Sequence, residues 1–173
     1  MIALVVTLFL GGFDSEATIR ALKYEEARRG ALEQVLSLSK DQLSKARQPA
    51  VVRAVVGVAM NSKVSFEERV IAMRVLRLLG NARQVTALSK AVRPGKRPAD
   101  IALAREAAKV LHALGANSSL TKGLNHPDPE VRQWAARVSG DAKVLCALLR
   151  SDPWPQVRAA AALGLARHRT HGS

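Results

Sequence analysis

Residues 126–140 read HPDPEVRQWAARVSG and residues 152–164 read DPWPQVRAAAALG, and the agreement between them decides the fold. Each stretch sets an Asp beside a Pro, continues through Val-Arg into small or aliphatic residues, and closes on a Gly. Proline suits the first helical turn, where its missing N–H would have no partner anyway. An Asp just before it offers a side-chain oxygen to the first unpaired N–H groups. The expectation is therefore an N-cap at Asp128 before Pro129 and another at Asp152 before Pro153. Gly140, at the far end of the first stretch, predicts a left-handed residue that stops the helix and turns the chain back. The alanines at 159–162 predict neighbouring backbones that approach closely.

Upstream, RVIAMRVLRLLGNARQVTAL (69–88) and REAAKVLHALGANSSLTKGL (105–124) are looser copies. Arg69, Arg105, Arg132 and Arg158 each open a helix, at spacings of 36, 27 and 26. Gly80, Gly115 and Gly140 mark turns, and Leu88, Leu124 and Leu148 close second helices. A recurrence of this length signals tandem repeats, and the clearest spans are 65–92, 99–124, 127–150 and 153–168. Ser65 and Glu68 have the spacing of a capping box. Phe66, Val70, Met73 and Leu76 form one apolar stripe, and Ile71, Val75 and Leu78 form another. Val144, Leu145, Leu148 and Leu149 form the matching stripe of a second helix. A helix with two stripes must touch both its hairpin partner and the next repeat. The reading is all-α: an α-solenoid, a superhelix of antiparallel helix hairpins. Before residue 65 the pattern predicts helices over 14–29, 31–46 and 49–61, broken at Gly30 and at Gln48-Pro49, without fixing their repeat phase.

The string D-x-x-P-x-V-R followed by A-A-x-A-L-G, here Asp152, Pro155, Val157, Arg158 and residues 159–164, resembles the short HEAT-like repeats first noted in phycobilisome lyases. The resemblance covers residues 65–168 well and 14–61 weakly. It implies a right-handed superhelix that binds proteins, or less often nucleic acid, along its stacked helices. It also implies a ladder of Asp and Arg along the inter-repeat seam, for which Arg105, Arg132, Arg158, Asp128 and Asp152 are the candidates. Some HEAT-like proteins are DNA glycosylases, and Trp134, Trp154, Asp128, Asp152, Arg132 and Arg158 supply the residue types they use. Caps and core explain the same residues more simply.

The chain has 173 residues, 27 Lys and Arg against 14 Asp and Glu, and a net charge of +13. The excess is uneven: 7 basic and 6 acidic residues over 1–50, 10 and 3 over 51–100, 10 and 5 over 101–173. Such a balance favours anionic partners, and competes with the plain reading of a solvated basic surface. The candidate contacts are Arg93, Lys96 and Arg97 in the RPGKRP loop, with Arg74 and Arg77 on the helix before it. That loop, 90–99, is expected to be long, held out of helix by its prolines. Aromatics are only 3% of the chain, too few for a stacking platform along single strands.

Residues 1–13 (MIALVVTLFLGGF) form an apolar leader without a charged side chain. The run is too short to span a bilayer but has the length of a signal-peptide core. It lacks a preceding basic residue and an A-x-A site. Export to the periplasm is the expectation, with a cytoplasmic chain as the alternative, and the repeat domain is 14–173. The single Cys146 excludes an internal disulfide and is expected in the core. Histidines are scattered, with His168 and His171 near the C-terminus, and adjacent carboxylates at Glu25-Glu26 and Glu67-Glu68 lack the opposed geometry of acid–base pairs. No catalytic residue, cofactor or metal is assigned. The expected function is a non-catalytic scaffold that binds a protein partner through its helices, with sequence-independent binding of nucleic acid or another polyanion as the alternative.

Overall fold

The computed structural model describes residues 13–93 and 97–171, and among these every regular element is helical. The leader 1–12 and Lys96 lie outside the described residues. The chain divides into two compact units, 1–84 and 85–173. The division falls inside the stretch 65–92 that the sequence suggested as one repeat.

In unit 1, α1 (Ser15–Ala21), α2 (Glu25–Leu36), α3 (Lys40–Ala46), α4 (Pro49–Met60) and α5 (Phe66–Leu79) gather around α5. This helix packs on α4 and α2 and touches α3, while α1 rests on α4 and α2. The core is aliphatic: Leu32, Val35, Val51, Val52, Val55, Met73, Leu76 and Leu79 are all buried. Ala72 and Val75 are buried with them, while Phe66, Val70, Ile71 and Leu78 are half-buried, so the two stripes of α5 merge into one broad face. A 3-10 turn, Ala82–Gln84, ends the unit.

The helix starts follow local chemistry. Asp14 Oδ1 accepts the N–H groups of Glu16 and Ala17, and Ser39 and Gln42 form a reciprocal capping box. Two expectations are corrected here. Gly30 lies within α2 rather than ending a helix; a glycine there costs about 1 kcal/mol, which burial of Ala31, Leu32 and Val35 outweighs. The actual breaks are at 22–24 and 37–39, so the first two expected helices become three. Ser65 and Glu68 make only half a capping box. Ser65 Oγ accepts the Glu68 N–H at 3.3 Å, but its hydroxyl donates to the Glu68 carboxylate at 2.7 Å. That buried carboxylate faces Arg28 Nη1 at 3.4 Å instead of the Ser65 N–H.

Unit 2 contains α6 (Val85–Ala91), α7 (Pro98–Ala113), the single-turn α8 (Asn117–Leu120) running into a 3-10 turn (Thr121–Gly123), α9 (Pro129–Val138), α10 (Ala142–Ser151) and α11 (Pro155–His171). Helix α7 packs against α6 and α9, and α9 packs against α11. Helix α10 runs back along α11, from which three residues separate it. Gly115 has φ +67°, and the bonds Ala116 N–H to Leu111 O and Gly115 N–H to His112 O close a Schellman turn. It is the only left-handed residue of the three expected. Gly80 is extended, at φ −65° and ψ 162°, and Gly140 also keeps a negative φ. Gly164 meets a packing demand instead: a Cβ there would lie 2.7 Å from the Ala136 carbonyl oxygen and 3.0 Å from Leu145 Cδ1.

The expected long loop 90–99 is shorter, because α6 reaches Ala91 and Pro98 itself begins α7. Pro153 does not start a helix either. Pro155 does, and Asp152 caps the end of α10 while its Oδ1 accepts the Trp154 N–H at 3.0 Å. On α10 only Leu145 of the expected stripe is buried; Val144 and Leu148 are half-buried and Leu149 is exposed. Cys146 is half-buried rather than in the core. No helix of the described residues is long and apolar enough to cross a membrane.

Candidate functional site

The polar architecture of unit 2 is a chain of arginine forks. Arg105 on α7 donates from Nε and Nη2 to Asp128 Oδ2, at 2.9 and 2.5 Å. Asp128 is fixed because it caps α9, its Oδ1 accepting the N–H groups of Glu130 and Val131 at 3.0 and 3.2 Å. Arg132 on α9 repeats the move one helix later, Nε to Asp152 Oδ2 at 2.8 Å and Nη2 to Asp152 Oδ1 at 3.0 Å. Its Nη1 turns back to the carbonyls of His126 and Pro127. Arg158 on α11 makes the same backward bonds, from Nη1 to the carbonyls of Asp152 and Pro153. The five candidates thus form two ion pairs, Arg105–Asp128 and Arg132–Asp152, with Arg158 bonded to the Asp152 backbone carbonyl.

Burial alone would raise both carboxyls. At Asp128 the Arg105 fork and the N–H groups of Val131 and Glu130 outweigh it, and at Asp152 the Arg132 fork and the Trp154 N–H do so. Both groups are held below the ordinary carboxylate range. Lys109 joins the cluster between Glu106 at 3.0 Å and Glu130 at 2.9 Å. Burial would lower its pKa, but those two hydrogen bonds win and raise it.

Sequence reasoning missed two members. His126 is only 1% exposed, its Nδ1 accepts the Asp128 N–H at 3.0 Å, and its Nε2 is buried without a hydrogen-bond partner. Burial pushes its pKa down. The signal was available, since His126 stands 26 residues before Asp152 and so at its repeat position. The second is the contact of His112 with Trp134, at 4.8 Å between ring centres, with the Arg137 guanidinium 4.9 Å from the Trp134 ring. Arg167 Nη1 donates to the Arg137 carbonyl at 2.6 Å. Positive groups collect here because this is where α7 and α9 end, and a helix C-terminus favours cations.

Beside the forks lies a cleft of about 450 Å³, walled by Leu124, Val144, Leu148 and Pro153, with Arg132 and Asp152 at its polar side. The half-buried face of α10 opens onto it. It offers apolar walls and a fixed ion pair.

The basic candidates fall elsewhere. Arg93 is exposed, and Arg97 is exposed but forms a two-bond pair with Asp100, both at 2.9 Å. Arg74 and Arg77 are exposed on α5 and make no ion pair among the described residues. Tyr24 and Trp154 are exposed and Trp134 is half-buried. Among the described residues no group of His, Cys, Asp and Glu side chains could hold a metal ion. The side chains of His168 and His171 lie outside the described set. No family model, curated protein or solved structure matches the chain.

Proposed function

We propose that the chain is an α-solenoid of HEAT-like repeats that binds another protein through its stacked helices and performs no catalysis. The observation that carries this reading is repetition. Helices α7, α9 and α11 are neighbours in order, and the Nε and Nη2 edge of one helix's Arg grips an Asp ahead of the next, at Arg105–Asp128 and again at Arg132–Asp152. Units joined by one recurring contact form extended surfaces, and the cleft beside these forks gives such a surface an apolar recess. The test is capture of partners from the native host by the wild-type chain and by Val144→Asp/Leu148→Asp, a pair of half-buried positions that line the cleft. Partners held by the wild type near 200 mM salt and lost by the variant support the reading; identical sets from both proteins sink it.

The second reading, binding of a polyanion, is favoured by the exposed Arg74, Arg77 and Arg93. It requires affinity for duplex DNA of any sequence, falling on the order of a thousandfold between about 50 and 200 mM salt. Export through the apolar leader belongs to the same proposal. Mass spectrometry of protein from the host should find the chain without Met1 and Ile2.

A further inference from the structure

Helix α10 is packed chiefly on one side. It rests on α11, while the structure across its other flank is short: the single turn α8 (Asn117–Leu120) and the 3-10 turn Thr121–Gly123. A helix of 10 residues thus faces one turn of 4 and another of 3. On the uncovered face Val144 and Leu148 stay half-buried, and Ala147 and Ser151 stay exposed. The gap has two parts. The cleft of about 450 Å³ runs along these four residues to Pro153. A second recess, of about 460 Å³, lies between Lys122 and the turn 139–141. Leu124 lines both. Together they follow α10 from its N-cap, Asp141, past its C-cap, Asp152, a length of about 15 Å at 1.5 Å per residue.

The charges beside this groove have one dominant sign. The Lys, Arg, Asp and Glu residues of 121–127 and 141–153 are Lys122, Asp141, Lys143, Arg150 and Asp152. Asp152 is buried and held by Arg132, so that pair is closed. Asp141 spends Oδ1 on the Val144 N–H. Lys122, Lys143 and Arg150 are exposed and make no ion pair among the described residues. Lys122 lines the second recess. Lys143 and Arg150 stand four residues before and three after Ala147, on the same side of the helix as that cleft residue. Unpaired cations therefore frame an apolar floor.

We propose that the groove takes a short apolar stretch of a partner protein with Asp or Glu on either side of it. The proposal rests on the protein-binding reading and gives that reading its ligand. At about 3.3 Å per extended residue, four or five residues span the groove. Their apolar side chains cover Leu124, Val144 and Leu148, and the flanking carboxylates meet Lys122 at one end and Arg150 at the other. Rim charges of this kind select partners more than they hold them.

Selection of a phage-displayed library of random dodecapeptides on the full chain tests this, at about 150 mM salt, where screening beyond about 8 Å suppresses long-range attraction. The recovered peptides should carry an apolar centre bounded by Asp or Glu. Made synthetically, they should lose affinity on the order of tenfold or more on Val144→Asp/Leu148→Asp, which sets carboxylates against that centre. Lys122→Glu/Lys143→Glu/Arg150→Glu should instead select peptides bounded by Lys or Arg. Lys40→Glu/Lys45→Glu/Arg53→Glu makes the same change of charge at exposed positions of unit 1 and should leave the selection unaltered, which separates the groove from general attraction to a +13 chain. Circular dichroism checks that every variant keeps its helices. An empty selection, peptides without acidic flanks, or acidic peptides that weaken equally on the unit 1 variant overturn the proposal. The protein-binding reading fails separately, when host partners are held alike by the wild type and Val144→Asp/Leu148→Asp. Host partners lost by that variant but kept by the charge reversal at Lys122, Lys143 and Arg150 leave the reading standing and remove the acidic ligand.

Discussion

Unit 1 and unit 2 differ little in length, 84 and 89 residues, and hold their helices together by different means. Unit 1 sets three helices against α5 by aliphatic packing, with α1 resting on two of them, and among the described residues one long-range ion pair, Arg28–Glu68. Unit 2 joins α7 to α9 and α9 to α11 by arginine forks on buried Asp side chains, with Gly164 of α11 closing on the Ala136 carbonyl of α9. Packing without direction tolerates many sequences. A fork does not, because it needs an Arg and an Asp at set positions on successive helices. The contrast has consequences for what breaks each unit.

The largest effect is expected in the core of unit 1. Leu76→Ala removes a fully buried side chain and should cost about 3–4 kcal/mol. Hydrogen exchange should show the loss throughout 15–84. Asp152→Ala should cost about 3 kcal/mol by leaving Arg132, whose side chain is 12% exposed, without its carboxylate. Here the lost protection should centre on α9 and α11; equal loss across both units would break the contrast. Gly164→Ala should cost about 2 kcal/mol, since its Cβ meets a backbone carbonyl that cannot move aside. A thermal melt measures this directly.

Acid should separate the units further. His112 and His126 are held below the ordinary imidazole value of 6.5, by burial first, with Arg137 and Arg167 adding to it at His112. At His126 the Asp128 carboxylate favours the charged form, and Arg132 opposes it. The unfolded chain takes up these protons first, so stability from neutral imidazole is complete above about pH 6.5 and declines as pH falls through that value. The depressed Asp128 and Asp152 add a second loss, as pH falls from the ordinary 3.8 through their folded values. All four histidines lie beyond residue 84, so protection in unit 1 should stay level between pH 7 and 5 while that of unit 2 drops. His126→Asn, which keeps an acceptor for the Asp128 N–H, should flatten the drop. At the small end, Arg29→Ala removes an exposed ion pair with Glu33 and should leave the melting temperature unchanged within error.

The same contrast explains what was legible in the sequence. In unit 2 the fork residues recur with proline and small residues around them, so Arg105, Asp128, Arg132, Asp152 and Arg158 stand out before any coordinates. Their partnering is less visible, because Asp128 and Asp152 are not at equivalent repeat positions: one lies four residues before its Arg, the other six. In unit 1 the helices are placed by Val, Leu and Ala burial, which leaves no spacing signature, and Gly30 looked like a break because its helical neighbours outvote it only in three dimensions. The Ser39–Gln42 box was a plain start signal that reading 31–46 as one helix obscured. The cleft was not visible either, as it depends on α10 exposing a face that the sequence assigned to the core.

One contact also makes the molecule its own reporter. Trp134 and Trp154 are the only tryptophans, and both belong to unit 2, whereas Tyr24 is the sole tyrosine and belongs to unit 1. Emission excited at the red edge of indole absorption therefore comes from one unit alone. The imidazole of His112, 4.8 Å from the Trp134 ring, becomes an efficient quencher when it gains a proton. Light from the native chain should dim as that histidine titrates and brighten again once the ring pair separates on unfolding, so a single fluorimeter trace distinguishes a protonation from a melt without any dye.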